Sequence, residues 1–221
     1  MFALGALALG AATPITGQSE QLPPIDQLLA ALQTKFGSVH DFSGEFEHRY
    51  IGSVLRTTVV EQGNVSVKKP GKWRFNYTSP EEKLFVSDGE TLYSYYPLDR
   101  QVTVSPAPRG VQASTLTSFL AGTGNLTLDF VGSYDETAQT QPGSWAIRLT
   151  PSRPSPDYDW LTLVVDEITL QISQIIATDL QGGTSIFIFS NLKENQGLSD
   201  NLFAFEIPRN TDVIKNDSFT P

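Results

Sequence analysis

Two stretches concentrate the residues able to do chemistry. The first runs Val65-Ser66-Val67-Lys68-Lys69-Pro70-Gly71-Lys72-Trp73-Arg74-Phe75-Asn76-Tyr77, and the second Ser87-Asp88-Gly89-Glu90-Thr91-Leu92-Tyr93-Ser94-Tyr95-Tyr96-Pro97. Side chains alternate across a strand, so Val65, Val67 and Lys69 share one face, and Trp73, Phe75 and Tyr77 share one face of the next strand. If the two faces coincide, a single cation stands at the end of an aromatic and aliphatic surface. Such a surface suits a ligand with a long apolar body and a polar or anionic end. The plainer alternative stays open: aromatic strands are usually core, and Lys68, Lys69, Lys72 and Arg74 would then be a solvated cluster. Lys69 weighs against it, because an inward lysine must reach water, an acid or a ligand.

Signals for covalent chemistry are weak. The chain has two histidines, His40 and His48, and no cysteine, so no His pair at helical spacing and no Cys/His set offers a metal site. His48 alternates with Phe42 and Phe46 and reads as a satisfied structural histidine. No Gly-x-Ser-x-Gly elbow and no phosphate-cradling Gly loop occurs. Glu81 and Glu82 after Pro80, and Asp157 and Asp159 in a Pro-rich loop, read as solvated turns. The expectation is a protein that is not an enzyme and needs no cofactor.

The net charge of −9 and a pI near 4.6 exclude nucleic-acid binding and oppose docking on anionic membrane. With 13 Phe, 7 Tyr and 3 Trp in 221 residues, one β-rich domain has ample core. Phe2–Ala12 is an apolar run of signal-core length, followed by small residues and Pro14 and too short to span a bilayer. Residues 1–17 are therefore expected to be a signal segment and 18–221 one domain. Without cysteine there is neither disulfide nor lipid attachment, which predicts a soluble envelope protein and a monomer.

The elements that position these residues follow from periodicity. Pro23 and Pro24 open a helix carrying Ile25, Leu28, Leu29, Leu32 and Phe36 at helical spacing, with Gly37 placed for a left-handed C-terminal cap. Phe42 to His48 alternates as a half-buried strand. Further strands are predicted at 56–67, 72–78, 83–87, 91–96, 101–104, 126–131, 144–150, 160–166, 169–178 and 184–190. Asp88-Gly89 and Asp179-Leu180-Gln181-Gly182-Gly183 supply hairpin turns. Between Ser105 and Gly124, Leu116, Phe119 and Leu120 recur at helical spacing, predicting a short helix over 113–121 that lies across the sheet. The outcome is a strongly curved antiparallel sheet whose hollow two helices only partly fill, leaving room for a cavity.

These residues resemble the LolA family of periplasmic outer-membrane lipoprotein carriers. The resemblance rests on Phe42-x-Gly-x-Phe46, Gly63-x-Val-x-Val-Lys-Lys-Pro70, Trp73-x-Phe75, Val86-Ser-Asp-Gly-Glu-Thr-Leu92, and Phe203-x-Phe205-x-Ile207-Pro208 leading to Asp212-Val213-Ile214. It implies an incomplete, half β-barrel with short helices capping an apolar cavity. It also implies a periplasmic chaperone for the acyl chains of triacylated lipoproteins, taken from an inner-membrane ABC transporter and passed on, in some cases through an outer-membrane receptor. A lipoprotein-sensing module of the same fold is the alternative. The cavity wall is expected from Phe42, Phe46, Val65, Val67, Lys69, Trp73, Phe75, Tyr77, Val86, Leu116, Phe119 and Leu120. Lys69 stands where the family typically has an arginine, keeping the charge without the planar fork of donors.

Overall fold

The computed structural model describes residues 22–107, 124–153 and 158–216. The signal segment and the 113–121 helix, with Leu116, Phe119 and Leu120, lie outside the described residues. Helix α1 (Ile25–Ser38) starts from Pro24 and buries Leu28, Leu29 and Leu32, the stripe its spacing predicts. Gly37 is not a left-handed cap. The helix runs through it to Ser38, whose hydroxyl donates to the Lys35 carbonyl, and Asn195 bridges the exit by donating to Ser38 O and accepting from His40 N.

Among the described residues twelve strands follow: β1 (Asp41–Ile51), β2 (Thr58–Lys68), β3 (Lys72–Ser79), β4 (Lys83–Asp88), β5 (Thr91–Tyr96), β6 (Gln101–Pro106), β7 (Phe130–Tyr134), β8 (Ser144–Pro151), β9 (Trp160–Asp166), β10 (Ile172–Thr178), β11 (Thr184–Glu194) and β12 (Asp212–Lys215). They form one sheet in the order β12-β6-β5-β4-β3-β2-β1-β11-β10-β9-β8-β7. Two meanders, β1–β6 and β7–β11, are thus joined by pairing of β1 with β11. All contacts are antiparallel except β12 with β6. The end strands β12 and β7 do not pair with each other, so the sheet is an open half-barrel.

Residues 126–131 depart from expectation. Leu126–Asp129 form a one-turn helix, α2, because the Asn125 side chain accepts from the Thr127 and Leu128 amides, and the strand begins only at Phe130. Alternation places one core on the inner face, where Phe42, Phe46, Val65, Val67, Trp73 and Phe75 meet Leu161, Leu163, Ile175 and Phe187 under α1. Two glycines permit this closeness. A Cβ at Gly63 would lie 2.1 Å from Asn76 O and 2.9 Å from the Phe46 ring; one at Gly132 would lie 2.6 Å from Leu29 of α1.

The outer face carries a second layer that periodicity does not announce. A 3₁₀ turn (Asp200–Phe203) packs on β3 and β4 and buries Phe203 completely. Phe205 lies 5.3 Å from the Tyr93 ring and 5.5 Å from Tyr95. Lys68 and Lys72 both pair with Asp200, and Arg74 donates to Leu202 O. These cations are therefore a clamp on the C-terminal strap, not a freely solvated cluster. The hydrogen bonds from Lys68 and Lys72 lower the Asp200 pKa to about 2.

Candidate functional site

Register decides which side chains share a wall. Val65 faces Phe75, Val67 faces Trp73, and Gly63 faces Tyr77, so the two apolar faces read from sequence do coincide. Phe46 packs edge-on against Phe75 at 5.3 Å and Tyr77 at 4.8 Å, geometry that favours the ring quadrupoles. Val86 does not belong to this wall. It pairs with Arg74 and Tyr93, which puts it on the outer face, covered by the C-terminal strap. Both faces of β4 are buried, so alternation there gives no clue to which side is inside.

An apolar cleft lies elsewhere on the same inner face. A cleft of about 50 Å³ opens between α1 and β9–β11, with Leu32, Phe36, Val39, Leu163, Leu170, Ile172, Phe189 and Leu192 in its walls. Of the residues expected from sequence, Phe42 and Lys69 border it. The others, apart from Val86 and the three outside the described residues, form the packed wall beside it. Leu161-x-Leu163-x-Val165 and Phe187-x-Phe189 carried the signal for the missing half, a period of two on inward positions.

The cleft has one polar edge. Lys69 donates to the Phe36 carbonyl in the last turn of α1, and its ammonium sits 3.4 Å from the centre of the Phe36 ring. That carbonyl belongs to the negative end of the helix dipole, so a cation is favoured there. Burial lowers the Lys69 pKa to about 8, with the Glu194 charge opposing the shift. Lys35 of α1 pairs with Glu194 at the end of β11, and Gln171 donates to the other Glu194 oxygen at 3.2 Å. Lys69–Phe36 and Lys35–Glu194 thus tie the C-terminal half of α1 to the sheet, beside the Asn195–Ser38 bond at the helix exit and the bond from Leu126 N to the Gln33 side chain.

A second constellation invites a catalytic reading. His48 Nε2 lies 2.8 Å from Ser185 Oγ, and His48 Nδ1 lies 3.3 Å from Glu61 Oε2. That is the atom order of a Ser-His-acid triad. Acyl transfer also needs N–H donors aimed at the developing oxyanion. Ser185 sits in β11, a strand paired on both sides, whose N–H groups point along the ladder rather than at a reacting atom. His48 is stacked on Phe187 at 4.1 Å, burial lowers its pKa, and Glu61 is also held by Lys83. The structural reading of His48 accounts for all of this. Asp135 is likewise structural. Burial pushes its pKa up, but hydrogen bonds from Thr137, Thr162 and Arg148 override this and hold it at about 2. Among the described residues no group of three His, Asp or Glu could hold a metal ion.

The class of structure is thus an open antiparallel half-barrel with a helix tied over its apolar inner face. The family model described as "Outer membrane lipoprotein carrier protein LolA" matches residues 37–206, and the chain belongs to this family. An outer-membrane lipoprotein carrier protein from Cupriavidus taiwanensis is 28% identical over 187 residues, 83% of this chain and 86% of that protein. One from Chromohalobacter salexigens is 27% identical over 212 residues, covering 95% and 96%. Among solved structures, an uncharacterized conserved protein from Thermus thermophilus superposes with a TM-score of 0.54 at 11% identity, covering 86% of this chain and 98% of that one, a likeness of fold.

Proposed function

We propose that this protein is a periplasmic carrier that sheathes lipoprotein acyl chains between the inner face of its half-barrel and α1. The observation that carries the reading is the cleft under α1, apolar along its length and fastened at one polar edge. At about 50 Å³ it is a third of the ~150 Å³ that holds a benzene molecule. An acyl chain therefore enters only if α1 lifts, and lifting its C-terminal half must break the ties at Lys69 and Lys35 together with those at Gln33 and Ser38. Phe42, Phe46, Val65, Val67, Trp73, Phe75 and Tyr77 would form the wall exposed by that motion. Lys69 would then be free to meet the polar end of the ligand. The donor would be an inner-membrane lipoprotein-releasing transporter and the acceptor the outer membrane or a receptor on it. No helix among the described residues is long and apolar enough to cross a membrane.

The test is capture of a purified triacylated lipoprotein, with its unacylated form as control. Phe42→Asn places an amide without a partner on the cleft wall, a penalty of about 2 kcal/mol against an acyl chain, so capture should fall about thirtyfold. Equal capture of acylated and unacylated cargo, or unchanged capture by folded Phe42→Asn, refutes this site.

A further inference from the structure

The β1–β2 hairpin extends past the strand beside it. Its own ladder continues to Ile51–Thr58, whereas β3 stops pairing with β2 at Gln62. Four residues of β2 therefore stand about 13 Å beyond β3 at ~3.3 Å per residue. On the other side β11 accompanies β1 to its last residue, Thr184 pairing with Ile51. The β10–β11 turn reaches the tip, since a Cβ at Gly182 would lie 3.9 Å from Ser53 Cβ. The far end of this arm is aliphatic: Val54 is 87% exposed, Leu55 81% and Leu180 53%. Exposure falls back along the arm, to 49% at Val59 and 41% at Tyr50. From Tyr50 to Val60 the only charged side chain is Arg56, at the tip, with Ser53, Thr57 and Thr58 beside it.

We infer that this arm inserts its tip into the surface of a lipid bilayer. The order of side chains matches the depth profile of an interface: aliphatic at the point, a guanidinium at the level of lipid phosphates, hydroxyls and a tyrosine at the headgroups. Contact is confined to the tip, because a body of net charge −9 is repelled by anionic lipid. Zwitterionic lipid is the preferred surface. Strand addition by a protein at the unpaired edge of Thr58–Glu61 is the competing use of the arm. It would leave Val54, Leu55 and Leu180, on turns that no added strand reaches, still in water. The tip is at the opposite end of β1 and β2 from Lys69 and α1, so the inference does not rest on the carrier reading.

The chain lacks cysteine, so V54C takes one environment-sensitive dye on the full-length protein. With phosphatidylcholine vesicles the dye emission should shift to the blue and become quenchable by probes within the bilayer. Added phosphatidylglycerol should weaken the response. In flotation the V54S/L55S protein should bind vesicles about tenfold less than wild type, with an unchanged circular dichroism spectrum. A dye that stays in water at saturating lipid, or flotation equal for wild type and V54S/L55S, overturns the inference. So does a dye response that follows protein concentration without lipid, which marks strand addition between copies. Phe42→Asn should leave flotation unchanged, which separates failure here from failure of the carrier reading.

Discussion

Replacing Lys69 by methionine separates a lid tie from a structural strut. Methionine keeps the length and apolar stem of the side chain but removes the ammonium that reaches Phe36. Bringing that ammonium into the protein lowers its pKa from 10.5 to about 8, a gross cost of about 3 kcal/mol at ~1.4 kcal/mol per pKa step. The group keeps part of its surface in water, so about half of this applies. Against it stand a charged hydrogen bond of about 1.5–3 kcal/mol and a ring contact of about 0.5–2 kcal/mol. Against the remaining cost these attractions leave a net of about 0.5–3.5 kcal/mol. Lys69→Met should therefore lower the global unfolding free energy by about 2 kcal/mol and by no more than about 3.5 kcal/mol. The local effect is different, because the tie joins α1 to the β2–β3 turn. Amides in the last turn of α1, from Thr34 to Ser38, should exchange about tenfold faster, the equivalent of ~1.4 kcal/mol in local opening.

The same group gives a pH signature. Its folded pKa lies below its unfolded one, so between about pH 8 and 10.5 the unfolded chain binds a proton that the folded chain has lost. Global stability should rise across that window by linkage, and because opening α1 returns Lys69 to water and to its ordinary pKa, the same linkage makes α1 open less often as the ammonium loses its proton. Exchange at α1, corrected for intrinsic rate, should step down near pH 8 in wild type and show no step in Lys69→Met or in Lys69→Arg, which stays charged throughout. A loss of more than about 4 kcal/mol of global stability with α1 exchange unchanged would refute the reasoning and make Lys69 a strut.

Two other outcomes follow from packing and charge. Gly63→Ala, whose Cβ would meet the Asn76 backbone oxygen at 2.1 Å, should lower stability by about 2–3 kcal/mol in chemical denaturation; a neutral result would mean that β2 and β3 part at no cost. Acid should free the C-terminal strap: the folded pKa of Asp200, about 2, lies below its ordinary 3.8, so its contribution is present above that value and lost as pH falls towards 2. Proteolysis in the 198–216 segment should rise over that range in wild type, and Asp200→Asn should show the acid-type cleavage already at neutral pH.

Strands β2 to β6 were legible almost residue by residue, because Trp73, Phe75 and Tyr77 alternate cleanly and turns at Gly71 and Gly89 take positive φ where sequence places glycine. The parity of Lys69 also set it on the inner face, where it borders the cleft under α1. What stayed hidden depends on contacts distant in sequence. Val86 resembles its inward neighbours, and only the strap over the outer face reveals its side. The strap has no period: it is held by Phe203 and by cations on β2 and β3 that look solvated when read alone. The start of β7 was obscured by Asn125, whose capping side chain turns four residues into a helix before the strand begins. The cleft formed where β9–β11 curve round to α1, and no local pattern states how far a sheet curves.

The size of the closed cleft bears on how a carrier without its own energy source could both load and release. On the proposed reading, ten methylenes of an acyl chain leaving water for the inner face contribute about 8 kcal/mol. Held in a preformed pocket, that chain would dissociate slowly. Here the competing occupant is the protein itself. Leu28, Leu29 and Leu32 of α1 are each 3–4% exposed when the lid is shut, and lifting them away from the sheet forfeits about 1.5–3 kcal/mol apiece. Together they offset most of what the acyl chain contributes. Loaded and empty forms then lie close in free energy, so cargo moves to whichever surface or partner offers its chains slightly more burial. A stronger lid would refuse cargo, and a roomier cavity would keep it.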